Sequence, residues 1–241
     1  MKLWAILKRR ANCTLLLIPA VLFLLTTICH GDILLDQAPD TAEFAFAEHV
    51  LTDAPLVTSY IVDDLTLASS TGKGFVIDSV TTYFRINGGV SDLTNGVLNI
   101  IANDGSLDTE TVPAQSVTVT VSELAASPNG PIFAVTASDL NIALADGDYW
   151  FGLTPTLDSN GGSTQPQHWT TSSGSVSGQQ AQWINPAGGF TLGEQWTGVD
   201  VFGEGAFDIS ISVEGTEIVP EPTSALILAS GLIGLVSRRR R

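Results

Sequence analysis

Apolar and polar residues alternate along two stretches of the chain. In 116–121, three valines alternate with serine and threonine, and in 207–213 apolar residues alternate with aspartate and serine. Because successive side chains of a strand point to opposite faces, this period of two predicts strands with one face in a core and the other in solvent. Shorter runs predict further strands at 43–47, 60–67, 75–86, 97–102, 132–135, 141–144, 149–153 and 182–185.

Glycine, asparagine and aspartate separate these runs, as in 87–89, 95–96 and 146–147, and they predict turns between the strands. A helical period survives only at 122–127. The stretch 159–178 is rich in serine, threonine, glycine and glutamine and predicts a long exposed loop. Many short strands joined in this way predict an all-β fold, either an antiparallel β-sandwich or a jelly roll.

The N-terminus has the pattern of a secretory signal peptide. Four basic residues among the first ten precede the apolar segment 15–28, and Cys29-His30-Gly31 predicts cleavage after Gly31. A permanent N-terminal anchor is the alternative. Both cysteines lie in this segment, so the mature chain would have none and its core must be stable without disulfides.

The C-terminus combines three features. Pro220-Glu221-Pro222 predicts an extended segment, because proline fixes φ and lacks a backbone donor. The uncharged segment 224–237 follows, and as a helix it would span about 21 Å, short of a bilayer core of about 30 Å unless flanking arginines snorkel. Arg238, Arg239, Arg240 and Arg241 then mark a cytoplasmic end. An ordinary tail anchor is the alternative interpretation.

This order of features resembles the PEP-CTERM sorting signal of bacteria that make exopolysaccharide. The resemblance covers 219–241, with Pro220, Glu221 and Pro222 as the motif. It implies processing by an exosortase, a membrane-embedded cysteine transpeptidase-like enzyme. It also implies export through the inner membrane, transient anchoring there, and delivery to the cell surface or the medium.

These features together predict five regions. They are a signal peptide at 1–31, a β-sandwich at 32–214, a linker with the Pro-Glu-Pro motif at 215–223, a transmembrane helix at 224–237 and a cytoplasmic arginine cluster at 238–241. Four sequence segments resemble strands of bacterial surface domains that carry such anchors: 62–67, 75–80, 147–153 and 205–209.

The formal net charge becomes more negative once the signal peptide and the arginine tail are set aside. Only Lys73 and Arg85 remain as bases, whereas all 25 acids lie between Asp32 and Glu221, which gives this segment a formal charge of −23 against −15 for the whole chain. Such a surface repels nucleic acid and anionic lipid headgroups. We therefore predict no nucleic-acid partner.

Catalytic patterns are largely missing. The mature chain has two histidines, His49 and His168, which excludes a zinc site built from several histidines and cysteines. The serine at 175 lacks the spacing of a nucleophile elbow, and 72–74 lacks that of a phosphate loop. We predict no catalytic residue and no enzyme, although a carboxylate pair for glycoside hydrolysis stays open among the 25 acids.

Calcium is the one cofactor that the acids suggest, since carboxylates at turns and strand ends can converge as oxygen ligands. The alternative is that these residues form turn hydrogen bonds of their own. The candidate ligands are Asp63, Asp64, Asp104, Asp108, Asp146 and Asp148.

Tryptophan is the remaining signal. Trp150 has alternating neighbours and is predicted to fill the core, whereas Trp169 and Trp196 lie near glycine-rich and serine-rich segments. An exposed indole can stack on a sugar ring. The sequence thus predicts a noncatalytic exported surface or extracellular-matrix protein, associated with exopolysaccharide. A lectin-like carbohydrate-binding module is the alternative, and a secreted glycan-active enzyme comes third.

Overall fold

The computed structural model describes residues 31–47, 50–51, 58–85, 93–104, 107, 114–127, 130–157, 167–171, 176–190, 193–202 and 205–219. Within these ranges the fold is all-β, as predicted, with one short 3-10 helix at Val199–Phe202. The strands are β1 (Asp32–Asp36), β2 (Pro39–Ala47), β3 (Val50–Leu51), β4 (Tyr60–Leu67), β5 (Phe75–Arg85), β6 (Asn95–Ala102), β7 (Ala114–Thr118), β8 (Thr120–Ser127), β9 (Gly130–Ala137), β10 (Ile142–Leu144), β11 (Gly147–Leu157), β12 (Gln167–Thr171), β13 (Gln182–Ile184), β14 (Thr197–Gly198) and β15 (Ile211–Glu217).

The described residues include no helix that is long and apolar enough to span a bilayer. Residues 1–30 of the predicted signal peptide and the whole predicted helix 224–237 lie outside the described ranges. Both of these assignments therefore stay predictions from the sequence.

The first sheet is built around the long strand β5. One edge of β5 pairs with β15 and then β12, and the other edge pairs with β10 and then β9. Strand β1 extends the sheet beyond β15, β2 beyond β12 and β8 beyond β9. All of these pairings are antiparallel.

The second sheet has the strand order β14, β13, β4, β11, β6, β7, again antiparallel. The two residues of β3 pair in parallel with the end of β11. The main core lies between the sheets, because buried side chains from β4 and β11 form one cluster with those from β5 and β15. Burial of each such side chain stabilises the fold by about 1.5–3 kcal/mol.

Alternation identified the core-facing positions but not always the partner sheet. The stretch 116–121, predicted as one strand, is divided at the buried residue Val119. Before Val119, β7 pairs with β6 in the second sheet, and after it β8 pairs with β9 in the first. A strand that crosses between facing sheets keeps its apolar face toward the same core, so its period of two does not reveal the crossing.

Two further expectations were wrong. The helical period at 122–127 falls in β8, whose ladder with β9 outweighs the local helical preference. The predicted loop 159–178 contains β12, which pairs with both β2 and β5. Serine and threonine are tolerated in a strand when both neighbours complete its ladder.

The closing stretch also differs from expectation. Phe207, Ile209, Ile211 and Val213 join the core as predicted, but Asp208, expected in solvent, is buried. The strand β15 continues to Glu217 and pairs with β5 throughout. Residues 215–217 therefore belong to the sheet, although the sequence assigns them to the linker.

Candidate functional site

A carboxylate cluster joins the two sheets. Asp63 lies on β4 in step with the core residues Ile61 and Leu65, and it is fully buried. Its Oδ1 accepts a hydrogen bond from the Asp64 amide at 2.9 Å, and its Oδ2 accepts one from the Ile209 amide at 2.9 Å. Because Ile209 leads into β15, this carboxylate ties the second sheet to the first.

Gln37 completes the surroundings of this carboxylate. With its side-chain nitrogen toward the cluster, an orientation assigned from the hydrogen-bond network, Gln37 donates to Asp63 Oδ2 at 3.1 Å and to the Ile209 carbonyl at 2.7 Å. The backbone amide of Gln37 donates to the Ile211 carbonyl at 2.9 Å. Both oxygens of Asp63 thus accept bonds from protein donors.

Burial dominates the electrostatics of the cluster. It raises the pKa of Asp63 well above the usual value, the nearby Asp208 carboxylate raises it further, and the bonds from Ile209 and Asp64 offset only part of this. Burial likewise raises the pKa of Asp64 and of Asp208, against bonds from the Gln179 and Ser177 amides. Carboxyl groups of this kind are candidates for proton transfer or cation binding.

The surroundings of Asp63 favour a structural role. Its oxygens accept from the backbone and from Gln37, and none is directed at an open surface, since the residue is fully buried. Among the described residues, no group of three or more histidine, cysteine, aspartate and glutamate side chains is arranged to hold a metal. The bonds of Asp63 therefore connect the second sheet to the segment that leads into β15.

Of the other calcium candidates, Asp64 adjoins Asp63, whereas Asp146 and Asp148 accept hydrogen bonds from other residues. Asp146 accepts from the Ser69 amide at 2.8 Å and from its hydroxyl at 3.0 Å, while Asp148 accepts from the Thr66 hydroxyl at 2.6 Å. Asp104 is exposed, and Asp108 lies outside the described residues. Calcium binding stays a prediction, and titration calorimetry of the processed protein tests it: no heat and no thermal shift in millimolar calcium would remove it.

The tryptophans occupy different places. Trp150 is buried, as predicted, but on the face of β11 opposite to its core neighbour Phe151. Trp169 lies in β12 of the first sheet, whereas Trp196 precedes β14 of the second. The structure thus does not place the two predicted stacking residues on one sheet, and the side chain of Trp169 is outside the described set.

Trp196 instead packs on the outer face of the second sheet, against Tyr60, Val97 and Ile184. The next position of β6 on this face is Asn99, which is fully buried and lies opposite Gly152. The amide group of Asn99 and the indole nitrogens of Trp150 and Trp196 are buried and find no hydrogen-bond partner among the described residues. Sequence reasoning missed Asn99, although its position inside the apolar run 97–102 was a signal.

Hydrogen bonds also fix the point where the chain leaves the sandwich. Glu217, the last residue of β15, accepts from the Ser70 hydroxyl and from the Thr71 amide, both at 2.8 Å. The Thr71 hydroxyl donates to the Ile218 carbonyl at 2.8 Å, and the Ile218 amide donates to the Gly74 carbonyl at 2.9 Å. We call these contacts between 69–74 and 217–218 the exit clasp.

Directly after the exit clasp comes the segment that the comparisons identify. The profile of the PEP-CTERM protein-sorting motif matches residues 219–241. The tail is a PEP-CTERM sorting motif. This confirms the resemblance, and the motif indicates export, transient membrane anchoring and processing by an exosortase on the way to the surface. Pro220, Glu221, Pro222 and the four terminal arginines lie within the match and outside the described residues.

No curated protein and no solved structure matches the chain.

Proposed function

We propose that this chain is a noncatalytic surface or extracellular-matrix protein, a β-sandwich delivered by its PEP-CTERM tail and held in exopolysaccharide. The observation that carries the proposal is the sorting motif, which begins two residues after the last strand of the sandwich. The full engagement of the Asp63 carboxylate by protein donors supports the noncatalytic part. The acidic surface keeps the exported domain soluble.

Processing of a Glu221→Ala variant tests the delivery step. In a host with an exosortase, the parent chain should appear as a shortened secreted form, and the variant should stay in the membrane fraction at full length. Glu123→Ala is the matched control, since this exposed glutamate on β8 lies outside the sorting motif. Equal processing of Glu221→Ala and the parent would contradict the proposed delivery.

Carbohydrate binding is the second candidate, and the outer face of the second sheet favours it. There Trp196 packs beside Tyr60 and is only partly buried, so part of its indole can stack on a sugar ring. A glycan array read by tryptophan fluorescence is the test. A Trp196→Ala variant should lose any binding that the parent shows, whereas Phe190→Ala, which truncates an exposed aromatic, should keep it. A parent without any hit leaves only the structural role.

A further inference from the structure

Both ends of the exported domain lie at the same end of the first sheet. Strands β1 and β15 are antiparallel neighbours, with Asp32 opposite Gly215. The predicted start of the mature chain therefore lies beside the last residues of the sandwich. An anchored tail would hold this end of the domain toward the bilayer.

The distance from the sheet to the membrane is short. Strand β15 ends at Glu217, and the predicted apolar segment begins at Ser224. Seven extended residues reach at most about 25 Å. A folded sandwich on so short a tether stays close to any enzyme that reads the segment between them.

The exit clasp makes this tether start from a fixed point. Ser69 organises the loop, because its hydroxyl accepts from the amides of Lys73 and Gly74 at 3.0 Å and its own amide donates to Asp146. Gly74 has a φ of +86°, and an added Cβ would collide with the Leu144 carbonyl, so the loop needs glycine here. The loop is thus anchored to the sandwich on one side and to Ile218 on the other.

We propose that this end of the sandwich, formed by 69–74 and 217–218, is the docking surface for the membrane-embedded processing enzyme, and that the exit clasp positions the sorting motif for it. The proposal rests on the proposed sorting by an exosortase. A motif that leaves a rigid sheet at a fixed residue loses less conformational freedom on binding than one on a loose chain. Thr71 and Glu217 are positioning residues in this scheme, because they act on the motif through the chain at 217–218.

A clasp variant and a spacer variant test the proposal in the full-length chain. The clasp variant combines Thr71→Val with Glu217→Ala. It removes the bond from the Thr71 hydroxyl to the Ile218 carbonyl and the bonds that Glu217 accepts from Ser70 and Thr71. Thr66→Val is the control, since it removes a similar hydroxyl–carboxylate bond on the second sheet. Insertion of Gly-Ser-Gly between Ile218 and Val219 keeps the clasp and displaces the motif. We expect both the clasp variant and the insertion to slow conversion of precursor to shortened product several-fold in a pulse-chase experiment, with the control unchanged.

Amide exchange supplies a readout that is independent of processing. The Ile218 amide, bonded to Gly74, should exchange faster in the purified clasp variant than in the parent and at an unchanged rate in the Thr66→Val control. Parental or faster processing of both the clasp variant and the insertion would overturn the positioning role. Glu221→Ala in the same host separates the sorting proposal from the clasp proposal. If Glu221→Ala blocks processing and neither the clasp variant nor the insertion slows it, only the clasp proposal fails. If Glu221→Ala does not block processing, the sorting proposal fails as well.

Discussion

Asp63 and Glu217 are two carboxylates with similar hydrogen bonds and opposite net shifts of their pKa. Each accepts bonds from backbone amides and connects a strand to a neighbouring segment. Burial nevertheless raises the pKa of Asp63, whereas the Ser70 hydroxyl and the Thr71 amide lower the pKa of the partly exposed Glu217. The comparison teaches that surroundings decide the sign, since desolvation of a buried charge outweighs donors that dominate at the surface.

The largest effect on stability is expected from truncation of the buried carboxylate, Asp63. Asp63→Ala leaves the amides of Ile209 and Asp64 without their acceptor, and each unsatisfied buried group costs about 1–3 kcal/mol. We expect a loss of about 2–4 kcal/mol in the free energy of unfolding, measured by urea denaturation of the processed protein. Asp148→Ala, at an exposed position, should change it by less than about 0.5 kcal/mol. Equal losses in both variants would contradict the role of Asp63.

The pH dependence of stability comes next in size. Because the folded pKa of Asp63 lies above the ordinary value of 3.8, the folded domain binds more protons than the unfolded chain between these values. The stabilising contribution is fully present below about pH 4 and is lost as the pH rises through the raised pKa. The unfolding free energy should thus fall from pH 4 to pH 7, more steeply in the parent than in Asp63→Asn. Parallel profiles for the two proteins would contradict this.

A smaller effect should follow from relief of the repulsion at Asp63. Asp208→Asn removes a carboxylate that raises the pKa of Asp63, while an amide oxygen can still accept from Ser177. We expect the pKa of Asp63 to move toward its ordinary value and neutral-pH stability to rise by about 1 kcal/mol or less. Carboxyl chemical shifts during an NMR titration give the pKa, and an unchanged value would show that burial acts alone.

The smallest effect on stability is expected at the partly exposed carboxylate, Glu217. The pKa of Glu217 lies below its ordinary value of 4.5, so its contribution is present above that value and is lost as the pH falls through the lowered pKa. Glu217→Gln should lower the melting temperature slightly at pH 7 and not at all in strong acid. A uniform loss at both pH values would mean that the side chain matters by its shape rather than its charge.

The sequence contained a signal for the buried cluster. Asp63 falls in step with Ile61, Leu65 and Leu67, so a carboxylate stood on the apolar face of a well-defined strand. We predict it instead as a candidate calcium ligand, because carboxylates at turns and strand ends can converge as oxygen ligands. Its partner Ile209 is 146 residues away, and a pairing across facing sheets leaves no periodicity in the chain.

Local patterns predicted most strands and failed where pairing partners decide the structure. The strand 60–67 was predicted with its observed bounds. The crossing at Val119 and the strand β12 depend on neighbours that are distant in sequence, as does the extension of β15 to Glu217. The Pro-Glu-Pro tail could be recognised without the fold, since linear order alone defines it.

The pairing of β15 has a mechanical consequence. While the tail is anchored, drag on the domain from flow or from a surrounding polymer enters the chain at Glu217 and runs along the axis of β15. The strand pairs with β5 from Ile211 to Glu217 and with β1 on its other edge. Tension parallel to a strand loads all of its ladder bonds together, whereas peeling breaks them one after another. The sandwich is therefore attached to its anchor in shear, the geometry that best resists extraction.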